Sequence, residues 1–121
     1  MKLTRAVIIA FSLLLLQGCD SQETKVKKLL KCGLAVDELG NEHAQDNYKK
    51  NSMLFFGTTP PALSHNEMVK IGDKAREELW MDSRNSRGTV QKLLEVYGEK
   101  YCIELHQEPN DKNIKMLRQL M

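Results

Sequence analysis

Residues 22–40, with the sequence QETKVKKLLKCGLAVDELG, decide the fold that we predict for this chain. Apolar positions recur in this stretch at spacings of three or four, which is the period of one face of an α-helix; they are Val26, Leu29, Leu30, Gly33 and Val36. Gly40 follows and can take the left-handed conformation that ends many helices. The stretch therefore predicts a first amphipathic helix over residues 22–39, with Cys32 beside its apolar stripe.

Two further helices are predicted from their start signals. Asn41 is a plausible N-cap for a second helix over residues 41–56. Ser64 and Glu67 form a capping box, in which a serine and a glutamate three residues later each satisfy a backbone N–H. A third helix is therefore expected to begin after Ser64 and to end near Asp82.

The remaining elements are also helical in pattern. Thr89 is predicted as the N-cap of a fourth helix that continues to about His106, with Gly98 as an unfavourable interruption. A short last helix would lay its apolar edge over the others through Ile114, Leu117 and Leu120. Since no β-type alternation exceeds four residues, we predict an all-α bundle of four to five helices.

The amino terminus has the three parts of a secretory signal. Lys2 and Arg5 form the positive region, residues 6–16 form an apolar run too short to span a bilayer, and small Gly18 follows. Residues 1–18 are therefore expected to be removed on export. The chain that remains is formally neutral, because Lys2 and Arg5 account for the net charge of +2.

Leu16, Gln17 and Gly18 precede Cys19, and this segment resembles the lipobox of bacterial lipoproteins. The resemblance implies a diacylglycerol on Cys19, cleavage before it and usually a further acyl chain on the new amino terminus. Residues 19–23 would then be the lipidated cysteine and a short tether, and residues 24–121 a helical periplasmic domain. Asp20 resembles the retention signal of enteric lipoproteins, which favours the inner membrane over the outer.

Cys32 and Cys102 form an even pair in a chain sent to an oxidising compartment, which favours one disulfide that staples the bundle. Two buried free thiols are the alternative. The basic side chains near the tether, on Lys25, Lys27, Lys28 and Lys31, either meet anionic lipid headgroups or simply face solvent. The neutral balance gives no support for nucleic-acid binding, which calls for a basic face.

No pattern in the chain predicts catalysis, a metal or a cofactor. His43, His65 and His106 are too far apart for a local metal motif and are expected at the surface. Neighbouring carboxylates such as Glu77 and Glu78 point about 100° apart on a helix, so they cannot face each other as an acid and base pair. We therefore predict that the protein is not an enzyme.

Binding is the activity that remains, and the candidate residues are large and apolar. Phe55, Phe56, Trp80 and Met81 would form a partner site if they are exposed. The alternative is that the aromatic residues complete the core of a small bundle. Exposure of Trp80 together with Phe55 or Phe56 would favour the first interpretation.

The positions of the cysteines suggest one family. Cys32 in the first helix, Cys102-Ile103-Glu104-Leu105, and the short amphipathic tail resemble the amidase immunity proteins of type VI secretion. The resemblance implies a small helical periplasmic protein that binds and blocks a cell-wall amidase. A lipid anchor departs from that family, whose members are usually free in the periplasm, and no binding residue carries over.

The sequence thus predicts a lipid-anchored, non-catalytic periplasmic protein that binds an envelope protein close to the membrane. It would act as an inhibitor or immunity-like protein, or as an accessory subunit. Two alternatives are a structural or stress-related lipoprotein without a dedicated target, and an unrecognised hydrolase. A cleft that gathers a histidine and two carboxylates would favour the hydrolase.

Overall fold

A computed structural model describes residues 21–55 and 63–121, and this part of the chain contains six helices and no strand. The all-α prediction is confirmed. The predicted signal segment, Cys19, Asp20 and Phe56 lie outside the described residues. The helices are α1 (Ser21–Leu39), α2 (Glu42–Phe55), α3 (His65–Glu78), α4 (Ser86–Tyr97), α5 (Lys100–His106) and α6 (Lys112–Leu120).

Helix α1 is the centre of the bundle. It packs against α3 and α4, and α2 joins α1 to α5. Val26 and Val36 of its predicted apolar stripe are buried, and Leu29, Leu30 and Gly33 are half-buried. The core that α1 forms with the other helices includes Val36, Leu79, Tyr97, Leu105 and Ile114. The first predicted helix is therefore the surface on which the others assemble.

The predicted disulfide is confirmed. Cys32 on α1 and Cys102 on α5 are bonded, with an S–S distance of 2.07 Å and a Cα–Cα distance of 5.4 Å. Because the two sulfur atoms are bonded, the alternative of two buried free thiols is wrong, and both bonded cysteines are completely buried. The bond ties the central helix to a short one that has few residues of its own to bury.

Two predicted helix starts are confirmed by their hydrogen bonds. The Asn41 side chain accepts from the N–H of Ala44 at 2.8 Å, and Ser64 accepts from the N–H of Glu67 at 3.2 Å. Gly40 ends α1 as expected, but its φ is not positive. A Cβ at this position would lie 2.7 Å from the Val36 carbonyl oxygen and 3.0 Å from the Ala44 Cβ. Glycine is therefore needed here because α1 and α2 approach each other closely.

The predicted fourth helix, from Thr89 to His106, is wrong at its start and in its continuity. Asn85 is the N-cap instead, and its side chain accepts from the Gly88 N–H at 2.9 Å. The helix stops at Gly98, and the extended backbone of Glu99 begins α5 as a separate element. The third helix also ends earlier than Asp82, because the chain turns sharply after Glu78.

Candidate functional site

The turn after α3 holds one of the two non-glycine residues with a positive φ in the described part of the chain. Leu79 is buried as the C-cap of α3, and Trp80 follows with a φ of 58°. A positive φ is rare for a residue with a bulky side chain, because its Cβ crowds the carbonyl oxygen. Here the conformation ends the helix, because the Trp80 N–H donates to the Glu77 carbonyl oxygen and the Met81 N–H donates to that of Arg76, the hydrogen bonds of a Schellman C-cap.

Several contacts fix Trp80 in this conformation. Its carbonyl oxygen accepts hydrogen bonds from the hydroxyls of Ser83 and Thr89, each at 2.7 Å. The indole lies directly on Gly88, where an added Cβ would come within 2.6 Å of the ring. The Lys92 ammonium lies 5.2 Å from the ring centroid, within the range of a cation–π contact. Hydrogen bonds therefore hold the backbone of Trp80, and Gly88 and Lys92 contact its indole ring.

Despite these contacts, Trp80 remains 45% exposed. It lines an open depression of about 510 Å³ together with Lys74, Glu77 and Glu78. The interpretation in which Trp80 completes the core is therefore wrong. A rigid, amphipathic ring bordered by charges of both signs is typical of the surfaces by which proteins recognise one another.

The end of α3 is fixed to α1 by ion pairs beside this depression. Glu78 pairs with Lys27 and Lys31, each at 3.2 Å. Partial burial raises the pKa of Glu78, but hydrogen bonds from the two lysines outweigh it and bring the pKa below its usual value. Lys27 and Lys31 therefore each have a carboxylate partner on α3.

The other predicted binding residues fall in different places. Met81 is half-buried and packs against the core, so little of it is available to a partner. Phe55 is the last residue of α2, and Phe56 lies beyond the described part of the chain. Among the four candidates, Trp80 is therefore the residue on which a described binding surface can be built.

His106 was expected at the surface, and this prediction is wrong. Its side chain is 0% exposed and stacks on the Tyr97 ring, with centroids 3.9 Å apart and planes at 15°. The Glu108 N–H donates to Nδ1 at 2.9 Å, which assigns the proton to Nε2. Nε2 in turn donates to the Tyr97 carbonyl oxygen at 2.9 Å.

This arrangement keeps His106 neutral and structural. Burial lowers its pKa more than the Tyr97 carbonyl and the acidic Glu108 and Asp111 raise it. Both ring nitrogens are used within the fold, so neither is available to a ligand. His43 and His65 are exposed, and within residues 21–55 and 63–121 no three histidine, cysteine, aspartate or glutamate residues are placed to hold a metal ion.

Asparagines on α2 complete the hydrogen bonding around His106. Asn47 donates to the His106 carbonyl oxygen at 3.0 Å, and Asn51 donates to that of Leu105 at 2.8 Å. Asp111, the N-cap of α6, accepts from the backbone N–H groups of Asn41 and Asn113 at 3.0 Å. The polar residues that weaken the apolar pattern of α2 therefore cap the end of α5. An asparagine pair spaced by four residues is the signal that could have revealed this role.

Comparison of the chain with protein-family models, curated proteins and solved structures finds no match. The resemblances to lipoproteins and to amidase immunity proteins thus stay predictions from the sequence. None of the helices in the described ranges combines the length and hydrophobicity required to cross a bilayer.

Proposed function

We propose that this protein is a lipid-anchored, non-catalytic interaction protein of the bacterial envelope. It is held through Cys19 on the periplasmic face of a membrane, with the inner membrane favoured by Asp20. Its partner is an envelope protein, which it inhibits in the manner of an immunity protein or assists as an accessory subunit.

The observation that carries the proposal is the exposed and immobilised Trp80. Tryptophan is enriched among the few residues that dominate binding free energy at protein interfaces. Because Ser83, Thr89 and Gly88 already fix its position, little conformational entropy remains to be lost when a partner covers the ring. A partner with an apolar pocket rimmed by both charges would complement Trp80, Glu77 and Lys92.

Site-specific photocrosslinking tests the surface directly. A photoreactive residue at Lys74, which lines the depression, is expected to capture one envelope protein in living cells. Trp80→Ala in the same chain should abolish that adduct. Val69→Ala, which alters another exposed apolar residue on α3, should leave it intact. An adduct of equal yield in both variants would contradict the proposal.

Identification of the captured partner separates the two modes of action. If the partner is a hydrolase whose activity falls on addition of the native chain but not of the Trp80→Ala variant, the protein is an inhibitor. If the partner belongs to a stable complex that dissociates without this chain, the protein is an accessory subunit.

The anchor has its own test. Cys19→Ser is expected to abolish incorporation of labelled palmitate, because the thiol that accepts the diacylglycerol is lost. Unchanged labelling would show that the lipid is not attached through Cys19.

The choice of membrane is tested at Asp20. Asp20→Ser should shift the protein from inner-membrane to outer-membrane fractions in an enteric host, because the retention signal is lost. Identical density-gradient profiles of the two forms would show that Asp20 does not determine the membrane.

A further inference from the structure

A second exposed apolar surface lies between the end of α1 and α6. We propose that this α1–α6 groove binds an amphipathic helix of a partner protein, with leucine-type side chains in the groove and carboxylates along the edge that meets α6. The groove has a volume of about 290 Å³ and is lined by Glu38, Leu39, Asn113, Met116, Leu117 and Leu120. This inference does not depend on the lipid anchor or on Trp80.

The inner face of α6 holds the helix on the bundle, while its groove side is left uncovered. Ile114 is completely buried and Leu117 packs against the core. Met116 and Leu120, four residues apart and so on the same side of the helix, are 52% and 69% exposed. Adjacent exposed apolar residues in one groove mark a partner site more strongly than scattered ones.

The charge of α6 has a single sign. Lys112, Lys115 and Arg118 are its only ionisable side chains, and none of them forms a salt bridge within the described residues. Lys112 lies four residues before Met116 and therefore beside the groove. Glu38 lies on the opposite wall, on α1. A bound helix that complements this charge distribution has carboxylates on the edge that faces Lys112 on α6. It has none on the edge that faces Glu38 on α1.

The shape of the site favours a helix. The surface is a groove between two helices, and α6 has nine residues and is about 13 Å long. This length accommodates the i, i+3 or i+4, and i+7 side chains by which a helix docks into an apolar groove. A lipid surface fits less well, because the apolar side chains line a groove between two walls, and one of those walls carries Glu38. A second copy of the chain would bring like charges on two α6 helices together.

Selection from a helix library tests the proposal. The full chain, labelled with a fluorophore, is presented to displayed peptides that have fixed leucines at i, i+3, i+4 and i+7 and random residues along both edges. We expect the bound peptides to carry aspartate or glutamate on one edge. Leu120→Glu should weaken a selected peptide by about tenfold or more, since one leucine is no longer buried. Val69→Glu, the matched exposed control on α3, should not weaken it.

A charge reversal sharpens the test. Lys112→Glu combined with Lys115→Glu should shift the selected edge from acidic to basic residues. A selection without acidic bias, or one that is unchanged by Leu120→Glu, overturns the proposal. So does Leu120-dependent binding to phosphatidylglycerol vesicles without peptide selection, which would make the groove a lipid site. A dimer in sedimentation that Leu120→Glu dissociates would instead make it an interface between copies.

Discussion

Within residues 21–55 and 63–121, two turns place a non-glycine residue in the left-handed region, and they differ in the position of the neighbouring aromatic ring. Gln107 follows α5 with a φ of 59°, and Trp80 follows α3 with a φ of 58°. At the first turn the strained residue is exposed, and its neighbour His106 is sealed inside with both ring nitrogens bonded. At the second turn the strained residue is itself the large aromatic, and nearly half of it faces solvent.

Both turns end a helix through backbone hydrogen bonds, and they differ in whether the aromatic ring beside the turn is buried or exposed. A left-handed residue costs ~1–2 kcal/mol. At the Gln107 turn, burial and stacking of His106 offset that cost within the domain. At the Trp80 turn, hydrogen bonds to the carbonyl oxygen and the contact with Gly88 hold a ring that the core does not cover. This contrast supports the proposal that the ring is kept for a partner.

The largest expected effect comes from breaking the covalent bond on α5. Cys102→Ala should reduce the free energy of unfolding by ~2–5 kcal/mol, and Cys32→Ala by a similar amount. The double variant should be no less stable than either single one, because one bond is lost in all three. Chemical denaturation measures these values, and amide exchange should quicken more around residues 105–108 than around 79–81. Additive losses in the double variant would show that the cysteines act separately.

The next effect compares the two aromatic turns directly. His106→Ala should cost ~3 kcal/mol, because it leaves a cavity and two backbone groups without partners. Trp80→Ala should cost roughly half as much, since about half of the ring is already exposed. Denaturant midpoints of both variants, with His43→Ala as an exposed control, give the ranking. A larger loss at Trp80 than at His106 would mean that the indole is chiefly structural.

The pH dependence of the free energy of unfolding should come from the turn that holds His106 and not from the turn that holds Trp80. The pKa of His106 lies below its usual value, so the unfolded chain binds the proton more tightly than the native one. Neutral His106 therefore contributes fully to the free energy of unfolding above the unfolded pKa of about 6.5, and this contribution is lost as pH falls toward the folded pKa. The free energy of unfolding then changes by at most 1.36 kcal/mol per pH unit. Unfolding between pH 7 and 4.5 should show this slope in the native chain. His106→Gln should flatten it, whereas Trp80→Ala should not.

The smallest effect comes from relieving the backbone at each turn. Gln107→Gly should raise the free energy of unfolding by less than ~1 kcal/mol, since glycine removes the crowding at positive φ but makes the unfolded chain more flexible. Trp80→Gly should lower it, because the same relief is outweighed by loss of the contacts with Gly88 and Lys92. Thermal unfolding of the two variants measures both signs. A shift in the same direction would remove the distinction between the turns.

Much of the fold follows from local sequence patterns. The spacing of the apolar residues in α1 predicts that helix correctly, and the caps at Asn41 and Ser64 predict two helix starts correctly. The pair of cysteines that remains when Cys19 is set aside predicts the disulfide. The two turns could not be predicted, because their partners are distant or belong to the backbone. Nothing near His106 in the sequence shows that the Tyr97 carbonyl and the Glu108 N–H will meet its ring.

The errors near Trp80 have the same origin. Thr89 has the residue type of an N-cap, but its hydroxyl donates to the Trp80 carbonyl oxygen nine residues earlier, and Asn85 caps the helix instead. The exposure of Trp80 depends on the close approach of Gly88, which only the folded chain brings under the ring. Gly88, in the first turn of α4, is the sequence signal that could have indicated a side chain packed closely against this helix.

The disulfide also determines how the protein transmits mechanical force. Cys32 and Cys102 are 70 positions apart, so the bond closes a covalent ring that contains α2, α3 and α4. Tension applied between the two ends of the chain passes along α1 to Cys32, crosses the bond and leaves through α5 and α6. The ring withholds about 240 Å of contour length from extension. A pull at the ends can therefore unravel the first turns of α1 and the final helices, but it cannot draw out the segment that carries Trp80 unless the bond is reduced.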